Sequence, residues 1–150
     1  MIDLVAAHDA ILATGHVTWP EHLEVAKAFG RRGKVLVTHA MEELAGPNLT
    51  DEQCIELADL GATIELCALT CLGTLATRSP GEISRAADTI GAERCTLATD
   101  YGQKANVRPA LGFQDFAEAL LTEGLDEHAI RRMACDNPCA LLDLMPDSAT

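Results

Sequence analysis

Aromatic and basic residues are both scarce in this chain of 150 residues. Only 3 % of the residues are Phe, Trp or Tyr, so a core must be built mainly from Leu, Ala, Val and Ile. Lys and Arg number 11 against 23 Asp and Glu, which gives a formal net charge of -12. Nucleic acids and anionic membrane surfaces are bound through a positive footprint. The charge balance therefore argues against both as partners.

Long apolar runs and a secretory signal are also lacking. No run approaches the roughly 18 apolar residues that span a bilayer, and the chain begins "MIDLVAAHDA" without a basic and then apolar leader. These features predict a cytoplasmic protein. Of the six cysteines, four lie inside apolar periodic runs, so we expect reduced thiols that pack as small hydrophobic side chains: Cys54, Cys67, Cys71 and Cys95.

Hydrophobic residues make up 48 % of the chain, enough for one globular domain over residues 1–150 with a frayed tail at 146–150. Apolar runs predict strands at "AILAT", "KVLVT", "ATIELCAL" and "CTLAT", and helical patterns lie between them. Strands that alternate with helices indicate βαβ units. The sequence thus predicts an α/β domain with a parallel sheet whose two faces are covered.

Several helix boundaries carry sequence signals. Thr50 and Gln53 form a capping-box pattern, and Gly91 follows the last periodic residue of its helix. Near the end of the chain we expect Asn137 to cap a short helix that has Pro138 in its first turn.

Three polar residues follow predicted strands at the point where each strand ends. His16 and His39 come after the first and second strands, and Asp100 comes after the fourth. The carboxyl ends of parallel strands meet at one edge of the sheet, where ligands bind in such folds. Imidazole and carboxylate are the ligands of catalytic zinc. Each residue also has a simpler interpretation, as a hydrogen-bonded loop histidine or as an Asp that begins a turn.

Other polar residues have more modest interpretations. His8, His22 and His128 lie in helical or pre-helical segments with charged neighbours and are predicted to be at the surface. A carboxylate inside a strand, such as Glu65 in the third strand, needs a hydrogen-bonding or ionic partner or must lose its charge. We expect a structural or buffering role for Glu65. Gln103 and Lys104 share the loop of Asp100, where they either contact a substrate or are simply solvated.

The order of these motifs resembles part of a known family. "TGH", "THA" and "TDYGQ" at successive strand ends, with the closing "DNPCALLDL", resemble the second half of a phosphotriesterase-like barrel of the amidohydrolase superfamily. The resemblance covers nearly the whole chain and implies a half-barrel, strands five to eight of a TIM-type (β/α)8 fold. It implies that His16, His39 and Asp100 bind a divalent metal, most often zinc, with manganese or iron as alternatives. It also implies that Asp100 takes a proton from the attacking water.

The chain departs from this family in one respect. Such barrels carry His-x-His on the first strand and often a bridging Lys on the fourth, and no His-x-His occurs here. The resemblance still implies a metal-dependent hydrolase of an amide, ester, lactone or phosphoester. A decarboxylase on the same scaffold, or a catalytically incomplete half-barrel that binds metal or a partner, is the alternative. Exposed edges at "AILAT" and "CTLAT" favour a homo-oligomer or pairing with a missing N-terminal half-barrel.

Overall fold

The computed structural model describes residues 2–144, so the tail predicted at 146–150 lies outside the described residues. The strands form one sheet in the order β1-β2-β3-β4. They are β1 (Ile11–Ala13), β2 (Lys34–Val37), β3 (Ala62–Cys67) and β4 (Cys95–Ala98). The helices are α1 (Ile2–Ala7), α2 (Trp19–Val25), α3 (Asp51–Asp59), α4 (Pro80–Ile90), α5 (Pro109–Thr122), α6 (Glu127–Arg131) and α7 (Asn137–Leu141).

All three strand pairs are parallel. Ile11 lies opposite Lys34, and Ile64 lies opposite Cys95, while β2 and β3 pair with Val35 opposite Ala62. The predicted α/β class with a parallel sheet is therefore confirmed. Within residues 2–144, β1 and β4 pair on one side only, as expected for the "AILAT" and "CTLAT" edges.

Burial alternates along the strands more strongly than the continuous apolar runs suggest. Val35 and Val37 are buried, whereas Lys34 and Leu36 between them are half-buried. The buried set faces the helices and packs with Phe29, Ile83 and Phe116 in the core. The other set forms what we call the open face, which is half-buried, so the expectation that both faces are covered holds only in part.

Helix α7 covers part of the open face. Leu141 and Leu142 line a cavity of about 260 Å³ there, together with Ile11, Leu36 and Glu65 of the strands.

Asn137 does not cap α7, so that prediction is wrong. Its backbone has helical dihedral angles, since a π-helical segment (Arg132–Asp136) runs into α7 without a break. The Asn137 side chain instead donates to the carbonyls of Ala92, at 2.8 Å, and Cys95, at 2.6 Å. It therefore anchors α7 to the start of β4.

Other local signals are confirmed. The Thr50 hydroxyl accepts from the Gln53 N–H at 3.3 Å, and the Gln53 side chain accepts from the Thr50 N–H at 3.0 Å. Gly91 ends α4 with φ of 102°, a left-handed conformation that glycine adopts without strain. All six cysteines are free thiols. Between residues 2 and 144, no helix has both the length and the apolar character needed to cross a membrane.

Candidate functional site

His16 and His39 meet at the carboxyl ends of β1 and β2. Their Nε2 atoms are 3.4 Å apart, and the ring centroids are 4.4 Å apart with an interplanar angle of 63°. Adjacent parallel strands deliver their following loops to the same edge, which is why residues separated by 23 positions come together. The structure thus brings two of the three predicted ligands into contact.

The outer nitrogen of each ring is held by a backbone carbonyl. His16 Nδ1 donates to the Ala45 carbonyl at 2.6 Å, and His39 Nδ1 donates to the carbonyl of Thr38. A carbonyl oxygen only accepts, so each Nδ1 carries a proton. In neutral rings each Nε2 therefore carries a lone pair, and these two unprotonated nitrogens are only 3.4 Å apart. A proton or a cation bound nearby would relieve their repulsion.

This donor pair fits a divalent metal ion. Two nitrogens at the usual zinc distance of 2.0–2.1 Å and a tetrahedral angle are about 3.3–3.4 Å apart, which is the observed separation of the Nε2 atoms. Metal-binding histidines usually donate their other ring nitrogen to a carbonyl or carboxylate, which sets the tautomer. Both rings satisfy that pattern here.

His39 has a left-handed backbone, with φ of 38°. This conformation costs a non-glycine residue about 1 kcal/mol or more, although His and Asp tolerate it better than most residues. Its N–H donates to Glu65 Oε1 at 2.9 Å, and its carbonyl accepts from the Glu42 N–H at 3.0 Å. The two bonds hold the turn that aims the imidazole at His16.

Glu65 has the structural role expected of it and lies on the open face. Besides accepting the His39 N–H, its Oε1 accepts from the Cys67 thiol at 3.5 Å. Burial raises the pKa of Cys67, and the negative charges of Glu65 and Asp100 raise it further. Cys67 is therefore a protonated thiol, and Glu65 connects β3 to the His39 turn.

Glu42 is a buried carboxylate that sequence reasoning missed. It is 2 % exposed, whereas the adjacent Glu43 is exposed. Burial pushes its pKa upward, but hydrogen bonds from the N–H groups of Ala45, Leu44 and Gly46 and the nearby His39 hold the pKa below its ordinary value. No local pattern separates Glu42 from Glu43, because the path of the loop decides which of them is buried.

Asp100 follows β4 and is exposed, with φ of 54°. Nowhere in residues 2–144 do three His, Cys, Asp or Glu side chains lie close enough together to hold an ion. Asp100 follows β4, which lies two strands from β2, roughly 10 Å at the usual strand spacing. Gln103 and Lys104 are exposed in the following loop, where Gln103 accepts from the Asn106 side chain.

His22 is not at the surface, contrary to the prediction. It is 0 % exposed in α2, and neither ring nitrogen has a hydrogen-bond partner among the described residues. Burial lowers the pKa of His22, and the nearby His39 lowers it further. The charged residues next to His22 in the sequence lie on the exposed side of α2, whereas His22 lies on the buried side. Their charge therefore does not indicate whether His22 is exposed.

Comparison with known sequences gives limited information. The profile of a family of unknown function (DUF6282) matches residues 1–65, less than half of the chain. No curated protein matches the sequence.

Comparison with solved structures identifies the fold. A protein from Agrobacterium tumefaciens, in its apo form, has a TM-score of 0.65 at 21 % identity, covering 97 % of this chain and 54 % of that one. An amidohydrolase from Burkholderia multivorans with bound zinc has a TM-score of 0.62 at 15 % identity, with 96 % and 56 % coverage. A variant of N-acetyl-D-glucosamine-6-phosphate deacetylase from Mycobacterium smegmatis has a TM-score of 0.61 at 17 % identity, with 97 % and 46 % coverage.

The chain therefore spans about half the length of the structures that it resembles. Four parallel strands alternating with helices match half of an amidohydrolase-type barrel, which confirms the predicted half-barrel.

Proposed function

We propose that this chain supplies the metal-binding rim of a metal-dependent hydrolase, with His16 and His39 as ligands. The observation that carries the proposal is the 3.4 Å separation of the two Nε2 atoms while both Nδ1 atoms donate to carbonyls. A hydrogen-bonded loop histidine needs only one partner. Two unprotonated ring nitrogens at the spacing of neighbouring zinc ligands support binding of a cation.

Zinc is the proposed ion, because imidazole suits it and because a structural neighbour carries zinc. Manganese and iron are the alternatives. A divalent ion bound there would lower the pKa of a water molecule and polarise the substrate oxygen. The contribution of the chain is to hold both rings in the ligating tautomer through the carbonyls of Ala45 and Thr38.

In this proposal Asp100 accepts the proton of the attacking water. Its exposed carboxylate follows β4 at the same edge of the sheet as the histidine pair, and closure of the sheet into a barrel would bring β4 closer to that pair. Gln103 and Lys104, on the same exposed loop, contact the substrate. The substrate is a small molecule with an amide, ester, lactone or phosphoester group, and a cytoplasmic location remains the expectation from the charge balance.

A second candidate is a metal- or partner-binding module without its own turnover. Two observations favour it: the described residues bring together two ligands rather than three, and the sheet has two unpaired edges. In that case the missing ligands come from a second copy or from an N-terminal half-barrel. A decarboxylase on the same scaffold would need the same metal ligands.

Metal analysis tests the proposal. The purified protein is supplemented with zinc, manganese or iron(II), dialysed and assayed for bound metal by mass spectrometry, beside His16→Ala and His39→Ala. His128→Ala is the matched control, since His128 is exposed in α6. We expect near-stoichiometric metal in the wild type and the control and loss in both site variants. No bound metal after supplementation would overturn the proposal.

An activity panel separates the two candidates. The metal-loaded protein is assayed with amide, ester, lactone and phosphoester substrates and with carboxylic acids for carbon dioxide release. Hydrolysis that disappears in both histidine variants supports the hydrolase, whereas carbon dioxide release would support the decarboxylase. Metal binding without turnover would assign the chain to the second candidate.

A further inference from the structure

We infer that Glu42 is a positioning residue for His16 and acts through the peptide group that joins Ala45 to Gly46. The inference rests on the proposed metal site for its functional meaning. The effect on the His16 ring does not depend on a metal, because it concerns which tautomer and orientation that ring adopts. Nothing in the motif pattern around His16 or His39 points to this residue.

Glu42 lies in a loop that folds back on the end of β2. The Asn48 N–H donates to the Glu42 carbonyl at 2.9 Å, and the Leu49 N–H donates to the Ala40 carbonyl at 2.8 Å. Gly46 sits in the narrowest part, where an added Cβ would lie 2.8 Å from both the Glu42 and the His39 carbonyl oxygens. The loop is therefore closed around Glu42.

The Glu42 carboxylate binds three consecutive backbone N–H groups of this loop. Oε1 accepts from Leu44 at 2.8 Å, and Oε2 accepts from Ala45 at 2.5 Å and from Gly46 at 2.6 Å. The residue is 2 % exposed, and the three bonds are partly buried. Hydrogen bonds to an ionised acceptor are about twice as strong as neutral ones.

One of these bonds continues directly to His16. The peptide group between Ala45 and Gly46 donates its N–H to Glu42 Oε2 and accepts the His16 Nδ1 proton at its carbonyl. The two groups of a trans peptide point in opposite directions, so Glu42 and His16 lie on opposite sides of it. Hydrogen bonds in such a chain polarise one another, which makes the carbonyl a better acceptor.

His39 provides an internal comparison. Its Nδ1 donates to the carbonyl of Thr38, which does not belong to the segment that Glu42 binds. Loss of the Glu42 carboxylate should therefore release the His16 ring and leave the His39 ring in place. A general structural role for Glu42 would disturb both rings together.

The first test uses the metal-free protein. Long-range proton–nitrogen NMR spectra, recorded above the pH at which imidazole protonates, report the tautomer of each ring in wild type and Glu42→Gln. Glu43→Gln is the control, because Glu43 is the exposed neighbour with the same charge. We expect His16 to change from the Nδ1-protonated form to a mixture in Glu42→Gln alone, with His39 unchanged. An unchanged His16, or equal changes in both rings, would overturn the inference.

The second test measures affinity for zinc. Glu42→Gln should weaken binding about 10- to 100-fold, the usual effect of losing a residue that orients a ligand, and Glu43→Gln should change it within about twofold. In a His16→Ala background, Glu42→Gln should cause no further loss. If the wild type binds no metal, the proposed function fails, while the tautomer measurement still decides the role of Glu42.

A conservative variant covers the case in which Glu42→Gln does not fold. Glu42→Asp keeps the charge and shortens the side chain by one methylene, so it should retain part of the loop and show a partial change at His16. Circular dichroism establishes that the variant is folded. A folded Glu42→Asp protein with wild-type ring tautomers would contradict the inference.

Discussion

The Thr38 hydroxyl accepts a hydrogen bond from the Gly15 N–H at 3.0 Å, and the Thr38 N–H donates to the Thr14 hydroxyl at 3.3 Å. These bonds join the residues that immediately precede His16 and His39. The two turns are therefore connected by hydrogen bonds in addition to the contact between their imidazoles. We infer that the short spacing of the rings depends on these two threonine hydroxyls as well as on the strands.

Thr38→Val should therefore weaken both the fold and the site. Valine has a similar shape but leaves the half-buried Gly15 N–H without its acceptor, which should cost about 1 kcal/mol, the low end of the range for an unsatisfied donor. We expect the free energy of unfolding in urea to fall by that amount and the affinity for zinc to fall with it. Thr122→Val, at an exposed position, is the control and should change stability by less than about 0.5 kcal/mol. Equal effects of the two variants would show that the contact between the turns is unimportant.

Asp100→Asn should separate catalysis from folding. Asn tolerates the left-handed backbone of this position as well as Asp does, so the melting temperature should stay close to that of the wild type. Loss of a general base lowers the hydrolytic rate by about 10²- to 10⁴-fold, while His16 and His39 still bind metal. Asp88→Asn, at an exposed position in α4, should leave the rate unchanged. A fully active Asp100→Asn protein would remove Asp100 from the mechanism.

The ion pairs of Lys34 predict a pH dependence. Lys34 binds Asp143, which follows α7, and Asp9, which precedes β1. The hydrogen bond from Lys34 lowers the pKa of Asp143, so its contribution to stability is present above the ordinary value of 3.8 and is lost as the pH falls through the lower folded pKa. The hydrogen bond to Asp143 raises the pKa of Lys34, so that contribution is present below 10.5 and is lost as the pH rises through the higher folded pKa.

The urea midpoints of wild type and Lys34→Met should therefore differ by a constant amount between about pH 6 and 9, where both groups are ionised. The difference should shrink as the pH falls below the ordinary pKa of Asp143. Lys27→Met is the control. It removes an ion pair with Glu24 in which both side chains are exposed, and it should have the smaller effect. A difference that persists unchanged in acid would indicate that packing of the Lys34 stem, and not its charge, stabilises the protein.

Thiol labelling should divide the cysteines into two groups. Burial raises the pKa of Cys54, Cys71 and Cys95 to about 12 and also raises that of Cys67, so all four are unreactive protonated thiols. Cys135 is exposed and Cys139 half-buried. In the native protein a chromogenic disulfide should label two thiols rapidly, and all six after denaturation. Cys135→Ser should remove one rapid equivalent, and rapid labelling of more than two would contradict the burial of the core.

The free edges predict self-association. A two-fold axis along the strands places β4 of one copy beside β1 of a second and keeps all strands parallel. Light scattering should then give about twice the chain mass of 16.0 kDa. The Thr14 N–H points to β2, where it donates to Leu36. Because N–H directions alternate along a strand, the Ala13 N–H points to the free edge.

Ala13→Pro should accordingly abolish the dimer while β1 stays paired with β2, since proline removes only the outward donor. Ala98→Gly, on the open edge strand β4, keeps its N–H and serves as a comparison in which self-association persists. A wild-type monomer at high concentration would show that these edges do not pair with a second copy.

The local pattern of apolar and capping residues was sufficient to predict the strands and several helix boundaries. The apolar runs located all four strands to within two residues at each end, and Thr50, Gln53 and Gly91 marked helix boundaries correctly. The same patterns failed for Asn137, whose partners lie more than 40 positions away in sequence. An Asn side chain can either cap a helix or anchor it to another element. The adjacent residues in the sequence do not show which of these roles it has.

The sequence by itself determined that parallel strands alternate with helices and that His16 and His39 leave the same edge of the sheet. Both results follow from the period of the apolar residues and from the common direction of the strands, which are local properties. Only the tertiary structure decided that the two Nε2 atoms lie 3.4 Å apart, that His22 and Glu42 are buried, and that Asp100 follows a strand two places from β2. Those results depend on how loops fold back and how far the sheet curves, and such long-range packing leaves no periodic signal in the chain.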